Sequence, residues 1–185
     1  MQIEKMDFCF ENSLVRITAD RNYPEIKLAG LTVGPFEEGN EYEVQYWVAQ
    51  ELAASGIAHF REDDNLDATK LYKIQWKERV QIAGQISELP EDFYPKLRRY
   101  LENMKEEIAK HPEFLEKVQE YEKTKHLAWD ILNSRLKKIV ALSSGPVQTE
   151  QIQKKLTCEE RFIYEQLNEI INAWKTQILD LEGEL

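Results

Sequence analysis

Few residues of this sequence combine the types and the spacing that catalysis needs. The three histidines, His59, His111 and His126, are scattered along the chain. Cys158 could pair with His126 as a nucleophile and its base, because an adjacent base is what activates a thiol. Cys158 lies, however, in a pattern that begins a helix. We therefore predict an ordinary local role for it and no catalytic residue in the chain.

Paired acids and basic clusters are also present, and each could do chemistry. The acid pairs at 63–64 and 106–107 could serve in acid–base catalysis, but among 34 acidic residues such pairs arise by chance, so we interpret them as solvated surface. Three basic clusters could contact phosphate locally: Lys96, Arg98 and Arg99; Arg135, Lys137 and Lys138; Lys154 and Lys155. The net charge of -10 repels phosphate backbones and favours surface solubility or pairing with a partner's acids. We therefore expect no strong DNA binding by the chain alone.

The standard cofactor motifs are missing. The sequence has no GxxxxGK[ST] phosphate loop and no GxGxxG after a strand, and neither HExxH nor CxxC offers a metal pocket. We therefore predict no cofactor, no metal and no enzymatic activity. An enzyme without a sequence signature remains the alternative.

Length and composition indicate an ordinary globular protein. The chain has 185 residues, of which 42% are hydrophobic and 31% charged, so it can bury a core without disulfides or metal. No apolar run approaches the roughly 20 residues that span a bilayer, and residues 1–5 do not resemble a signal peptide. Two cysteines far apart in sequence suit a reducing compartment. We expect a cytoplasmic protein that does not enter the membrane.

The first 60 residues have the texture of a small β-rich domain. From about residue 8 to 36, short alternating patterns and turn residues predict three or four strands. An amphipathic helix follows, with Val44, Trp47, Val48 and Leu52 on one stripe, and Ser55–Gly56 ends it. Residues 57–60 predict one more strand. Residues 61–66 are polar and predict a linker, although a solvated surface loop fits equally well.

Residues 67–185 are predicted to be α-helical. Asp67 caps a helix that runs to about Ile86, and a second helix follows Pro90. Pro112 opens a third helix that, if unbroken to about Leu142, is about 45 Å long. A capping box at 157–160 begins the last helix. The fold class is therefore mainly α, a helical bundle preceded by a small β-rich domain with one short helix.

The tryptophans all lie on predicted helices. Core packing is the default explanation for Trp47, Trp76, Trp129 and Trp174. Trp76 is less easily explained, because it flanks the apolar stripe of its helix rather than sharing it. A bundle with wide apolar faces and one overlong helix suggests that the domain buries surface against other chains.

Three stretches of the sequence resemble the GINS family, a replication-fork complex of archaea and eukaryotes. The first is Ile86–Leu101, with the sequence ISELPEDFYPKLRRYL, which resembles a helix-opening signature of the family. The second is Gly34–Leu52, which resembles the glycine-proline turn and short helix of the small domain. The third joins Asp130–Val140 to the helix start at Leu156–Glu160, which is similar to the late helices of the family.

The first of these stretches also has a physical interpretation. Pro90 ends one helix, and Asp92 favours the positive end of the next, where Pro95 is tolerated in the first turn. Phe93 and Leu97 then form an apolar pair one turn apart. We therefore predict that the family-motif positions are structural or belong to an interface: Pro35, Trp47, Leu89, Pro90, Asp92, Phe93, Tyr94, Leu97 and Arg98.

The order of the two parts makes the resemblance more specific. With the β domain first, the chain resembles the archaeal subunit that corresponds to the second and third partner-of-Sld-five subunits of eukaryotes. The resemblance implies a non-catalytic scaffold in a 2:2 heterotetramer with a second GINS subunit type, which has its helices first and its β domain last. The complex would join and stimulate the MCM helicase together with a RecJ/Cdc45-like protein. A helical interaction adaptor that acts outside replication remains the alternative.

Overall fold

The protein folds into two compact units, which divide between Asn65 and Leu66. The computed structural model describes residues 2–28, 30–61, 65–80, 85–90, 92–145, 152 and 154–179. The predicted linker falls at this division, but its residues 62–64 lie outside the described residues. No helix of the described residues is long and apolar enough to cross a membrane.

The first unit is β-rich, with a short helix between its last two strands, as the sequence predicts. Its elements are α1 Gln2–Glu11, β1 Leu14–Ala19, β2 Ile26–Leu28, β3 Leu31–Val33, β4 Glu41–Gln45, α2 Tyr46–Ala54 and β5 Ala58–Phe60. Strands β4, β1 and β5 form an antiparallel sheet in that order, and β2 pairs with β3 as a hairpin. Alternation along β1 buries Ile17 and Ala19 in a core that Phe36, Val48 and Leu52 complete.

Two predictions for this unit are wrong. Residues 8–11, predicted as the start of the strand region, belong to helix α1. The alternation of Phe8 with Phe10 resembles a strand, but Phe10 packs on Tyr46, with ring centroids 4.5 Å apart, while Phe8 faces solvent. Val44 does not share a helical stripe, because it lies on β4 opposite Val15 and reaches the core from the sheet.

The second unit is the predicted helical bundle. Its elements are α3 Ala68–Val80, α4 Phe93–Lys110, α5 Leu115–Ser144 and α6 Cys158–Leu179. Helix α5 packs against the other three helices and is continuous over 30 residues, which gives about 45 Å and confirms the predicted long helix. One buried cluster lies around Leu71, Phe93 and Ile131, and another lies around Ile139 and Tyr164.

The predicted caps of α3 and α6 are present. The Asp67 carboxylate accepts the backbone N–H of Lys70 at 2.7 Å. The Thr157 hydroxyl accepts the N–H of Glu160 at 3.3 Å, while the Glu160 carboxylate accepts the N–H of Thr157 at 3.1 Å. Each bond satisfies a donor that the first turn of a helix leaves open.

Two helix boundaries differ from the prediction. Helix α3 is described to Val80, and Ile86 is buried within a non-helical segment, residues 85–90, so helical spacing is the wrong interpretation there. Ile82, also predicted on that helix, lies outside the described residues. The backbone N–H of His111 donates to the carbonyls of Glu107 and Ile108 and so ends α4. A turn that contains Pro112 follows, and helix α5 therefore begins only at Leu115.

Candidate protein interface

A cluster of buried polar side chains ties the helical unit together. We call it the polar cluster, and its members are Glu78, Ser87, Tyr94, Arg135, Lys138 and Glu160. They come from α3, the segment before α4, α4 itself, α5 and α6. Arg135 lies at the centre and has no exposed surface.

Hydrogen bonds and ion pairs connect every member of the polar cluster. Arg135 Nη1 lies 2.7 Å from Glu78 Oε1, and its Nε and Nη2 lie 2.7 and 2.5 Å from the two oxygens of Glu160. Lys138 Nζ lies 2.6 Å from Glu78 Oε2. The Tyr94 hydroxyl donates to Glu160 at 2.6 Å, and the hydroxyl of Ser87 donates to Glu78. Two acidic and two basic side chains thus balance in a buried site.

The protonation states follow from these contacts. Burial alone would raise the pKa of Glu78, but hydrogen bonds from Lys138, Ser87 and Arg135 outweigh it and hold that pKa below its ordinary value. Burial alone would lower the pKa of Arg135. Its hydrogen bonds and charge interactions with Glu160 and Glu78 outweigh burial and hold that pKa above its ordinary value. Burial and the neighbouring Glu160 raise the pKa of Tyr94. Glu78 and Arg135 are therefore charged at neutral pH, and Tyr94 is a neutral donor.

The sequence prediction for Arg135 and Lys138 is wrong. Both were interpreted as part of a surface basic cluster, yet both are buried. A signal was available, since Arg135 and Lys138 fall at helical spacing from Ile131, Ile139 and Leu142 on the apolar face of α5. Charged residues in such a stripe indicate buried pairing rather than a solvated cluster.

Most family-motif positions surround this cluster. Leu89, Phe93 and Leu97 are buried in the adjoining core, next to Tyr94 of the cluster itself. Nearby, Asp92 pairs with Lys96 at 2.7 Å, Arg98 approaches Glu159 at 3.9 Å, and Pro90 is exposed before α4. Pro35 and Trp47 belong to the first unit. Pro35 is exposed there, and Trp47 has 38% of its surface exposed.

The small-domain turn next to Pro35 has a steric basis. Gly34 adopts a φ of +87°, and a Cβ at this position would lie 3.1 Å from the ring of Phe36. Glycine is therefore required both for backbone conformation and for space.

Cys158 and His126 are both exposed, and the described residues contain no cluster of His, Cys, Asp or Glu able to hold a metal ion. The acid pair at 63–64 lies outside the described residues.

The helices instead present apolar surface to solvent. The α5–α6 face consists of Leu132, Leu136, Val140, Ile163, Ile170 and Trp174, all of them exposed. Core packing, the default expectation for the tryptophans, is wrong here: Trp174 is 60% exposed and Trp129 64%.

The two halves of this face lie on the same side of the helix pair. Helices α5 and α6 run parallel, because Arg135 pairs with Glu160 and the side chain of Asn168 donates to the carbonyl of Ser143. Seen from the N-termini, each residue lies about 100° clockwise of the one before. Leu136 is therefore clockwise of the contact residue Arg135 on α5.

On α6, the relation is reversed. Ile163 lies one residue before Tyr164, which packs into the core shared with α5, and is therefore anticlockwise of the contact line. Clockwise on one of two parallel helices and anticlockwise on the other is the same side of the pair. The two stripes therefore open onto one surface.

The end of α6 extends beyond α5. The pairs Arg135–Glu160 and Ser143–Asn168 share one offset, so the last residue of α5, Ser144, lies level with residue 169. Residues 170–179 therefore continue about 15 Å further. Ile170, 64% exposed, and Trp174 lie on this projecting part.

A second exposed stripe lies on α3. Tyr72, Trp76 and Val80 follow one another at one-turn spacing and are 56%, 67% and 62% exposed. Trp76 is the residue that the sequence places beside the apolar stripe of its helix, and Tyr72 lies one turn before it. Their exposure agrees with the interpretation that α3 is apolar on more than one side.

Comparisons with known proteins identify relatives of both units. Residues 2–60 match the family described as PSF2 N-terminal domain. Residues 57–179, more than half of the chain, match the family described as GINS complex protein helical bundle domain. A search of curated proteins found no significant match.

Proposed function

Because the chain belongs to the GINS family and carries its small domain first, we propose that it is a non-catalytic scaffold subunit that joins the MCM helicase to a RecJ/Cdc45-like protein. Its role in the GINS replication complex follows from the family. The particular partners, the archaeal type of complex and the 2:2 assembly with a helices-first, β-last subunit are part of the proposal.

The observation that carries this proposal is the α5–α6 face. Monomeric proteins rarely expose contiguous apolar surface of such extent, and large aromatic residues such as Trp174 are enriched where interfaces are most deeply buried. The face also continues onto a projecting helix end, which is accessible from several sides. We propose that the second GINS subunit type covers it.

The arrangement of the polar cluster supports the same function. Arg135 holds Glu160 in the first turn of α6, so the helix leaves the bundle in a fixed direction. A preorganised docking helix costs less conformational entropy on association than a mobile one. The cluster thus contributes to assembly without touching the partner.

A scaffold of this kind acts on the helicase only through binding energy. It shifts the helicase between two states by its differential affinity for them, and a coupling of about 1–3 kcal/mol changes activity some 5- to 150-fold. Because the surface would be assembled from both subunit types, we expect stimulation by the complex and not by either chain alone.

The test is strand displacement by the cognate MCM helicase. The helicase is assayed alone, with this chain, with the helices-first partner, and with the reconstituted complex, each with and without the RecJ/Cdc45-like protein. We expect stimulation only by the complex. Full stimulation by this chain alone would refute the shared surface, and a well-folded complex without effect in any mixture would refute the role at the helicase.

A further inference from the structure

The outer side of α3 carries aromatic rings and positive side chains, with Thr69 exposed at its start and Val80 at its end. Tyr72 and Trp76 expose more than half of their surface, and Lys73 and Lys77 are exposed beside them. The single acid of the helix, Glu78, is turned inward and paired with Arg135 and Lys138. Among the charges of α3, those that face solvent are therefore all positive.

This positive surface lies on the unit that is nearly neutral. Residues 1–65 hold 13 acidic and 5 basic side chains, whereas residues 66–185 hold 21 acidic and 19 basic ones. The net charge of -10 thus belongs mostly to the first unit and does not oppose an anion at α3 directly.

The aromatic and basic residues of α3 are arranged as a repeat. Tyr72-Lys73 and Trp76-Lys77 each consist of an aromatic residue followed by a lysine, and the two pairs lie about one helical turn apart. A rise of 1.5 Å per residue separates the two pairs by about 6 Å along the axis. A nucleic-acid strand likewise repeats a flat base and a phosphate.

A groove adjoins this surface between α3 and α5. Its volume is about 540 Å³, and its lining includes Gln75, Arg79, Asn133, Ser134 and Lys137. Amide and hydroxyl groups together with cations can bond both base edges and phosphate oxygens. Two acids also line the groove: Glu78, which is buried and paired with Arg135 and Lys138, and Asp130, which pairs with Arg79 at 3.3 Å.

We propose that the α3 surface and this groove bind single-stranded nucleic acid. Bases stack on Tyr72 and Trp76, while Lys73 and Lys77 contact the phosphates, which is the combination that sequence-tolerant single-strand binders use. The positive surface is one helix wide, so it can contact the phosphates of one nucleic-acid strand but not those of both strands of a duplex. An acidic protein segment would satisfy the lysines but would not supply a flat ring for each aromatic residue.

The binding is weak and salt-dependent. Two phosphate contacts give a slope of about 1.4 in a plot of log affinity against log salt, because each contact on a single strand contributes about 0.7. This agrees with the expectation that the chain alone does not bind DNA strongly. The inference goes beyond the scaffold function, and its test uses the complex that the scaffold proposal assumes.

The test uses the full chain in complex with its helices-first partner and a fluorescently labelled oligothymidine, with binding measured by anisotropy. Trp76→Ala should weaken binding roughly 5- to 150-fold, because base stacking on one aromatic ring has that value. The matched control is Phe114→Ala, which removes an exposed aromatic ring elsewhere in the same unit and should leave the affinity unchanged.

Charge variants test the phosphate contacts separately. Lys77→Gln should weaken binding and lower the salt slope by about 0.7, whereas Lys110→Gln, at the far end of α4, should do neither. Asp130→Asn removes the exposed acid of the groove and frees Arg79, and should tighten binding roughly 1.5- to 5-fold.

Two results would overturn the inference. One is no binding of the oligothymidine by a complex whose mass shows that it is assembled. The other is loss of partner binding with Trp76→Ala while oligonucleotide affinity stays unchanged, which would make α3 a protein interface. Light scattering on the same samples reports assembly, so failure of this inference and failure of the scaffold proposal are distinguished.

Discussion

Replacing Arg135 by methionine should destabilise the helical unit severely. Arg135 is fully buried and pairs with Glu78 at 2.7 Å and with Glu160 at 2.5 Å. After its removal Lys138 still neutralises Glu78, but Glu160 keeps only hydrogen bonds. Removing one partner of a buried ion pair costs about 3–5 kcal/mol, because a charge is left in a site without water. At roughly 2–4 °C per kcal/mol, the melting temperature should fall by about 6–20 °C.

The assay is urea denaturation at fixed protein concentration, followed by far-ultraviolet circular dichroism. The matched control is Arg79→Met, which breaks an exposed ion pair with Asp130 at 3.3 Å and should cost at most about 1 kcal/mol. In the double variant Arg135→Met with Glu160→Gln, one charge of each sign is removed and Lys138 still balances Glu78. The double variant should therefore be more stable than Arg135→Met alone.

Two outcomes would refute this reasoning. If Arg135→Met costs no more than Arg79→Met, the buried pairs have the energy of surface pairs. If adding Glu160→Gln brings no recovery, an uncompensated charge at residue 160 is not the cause of the loss.

Three further predictions concern other parts of the molecule. Because the pKa of Glu78 is lowered in the folded protein, its ionised carboxylate stabilises the fold above the ordinary carboxyl pKa of 4.5, and this stability is lost as the pH falls through the lowered pKa. A pH titration of unfolding should therefore show a loss of stability below about pH 4.5 that Glu78→Gln abolishes. Gly34→Ala should lower the melting temperature more than Gly30→Ala, because both have a φ near +86° but only Gly34 has the ring of Phe36 within 4 Å; equal losses would exclude the steric part. Thr157→Ala should cost about 1 kcal/mol in urea denaturation, and no change would mean that the capping bond has no net value.

The sequence predicts the helices well, because their signals are local. The Asp67 cap, the capping box at 157–160 and the apolar stripe of α5 each depend on residues close in the chain, and the structure contains all three. Helix α1 was missed for the opposite reason. Phe10 of α1 packs on Tyr46, and this contact joins residues far apart in sequence, which a local pattern does not show.

The candidate interface could be predicted only in part. The sequence indicates that α3 and the last helix have wide apolar faces. It does not distinguish apolar residues that pack in the core from those that are exposed and available to another chain. Trp174 illustrates this, since its helical spacing fits the core stripe of α6 and yet it lies beyond the end of α5. The polar cluster was missed because a charged side chain was assumed to face water.

The central claim, that the α5–α6 face holds the second GINS subunit, is tested most directly by one mass measurement. This chain and its helices-first partner are co-purified and analysed by size exclusion with light scattering, as wild type, as Ile170→Asp and as Thr176→Asp. Ile170 is on the face, whereas Thr176 is an exposed residue about 120° away from Ile170 around α6, so both variants add the same charge to the projecting end. We predict the mass of a 2:2 complex for wild type and Thr176→Asp, and dissociated subunits for Ile170→Asp. An intact complex with Ile170→Asp would contradict the account.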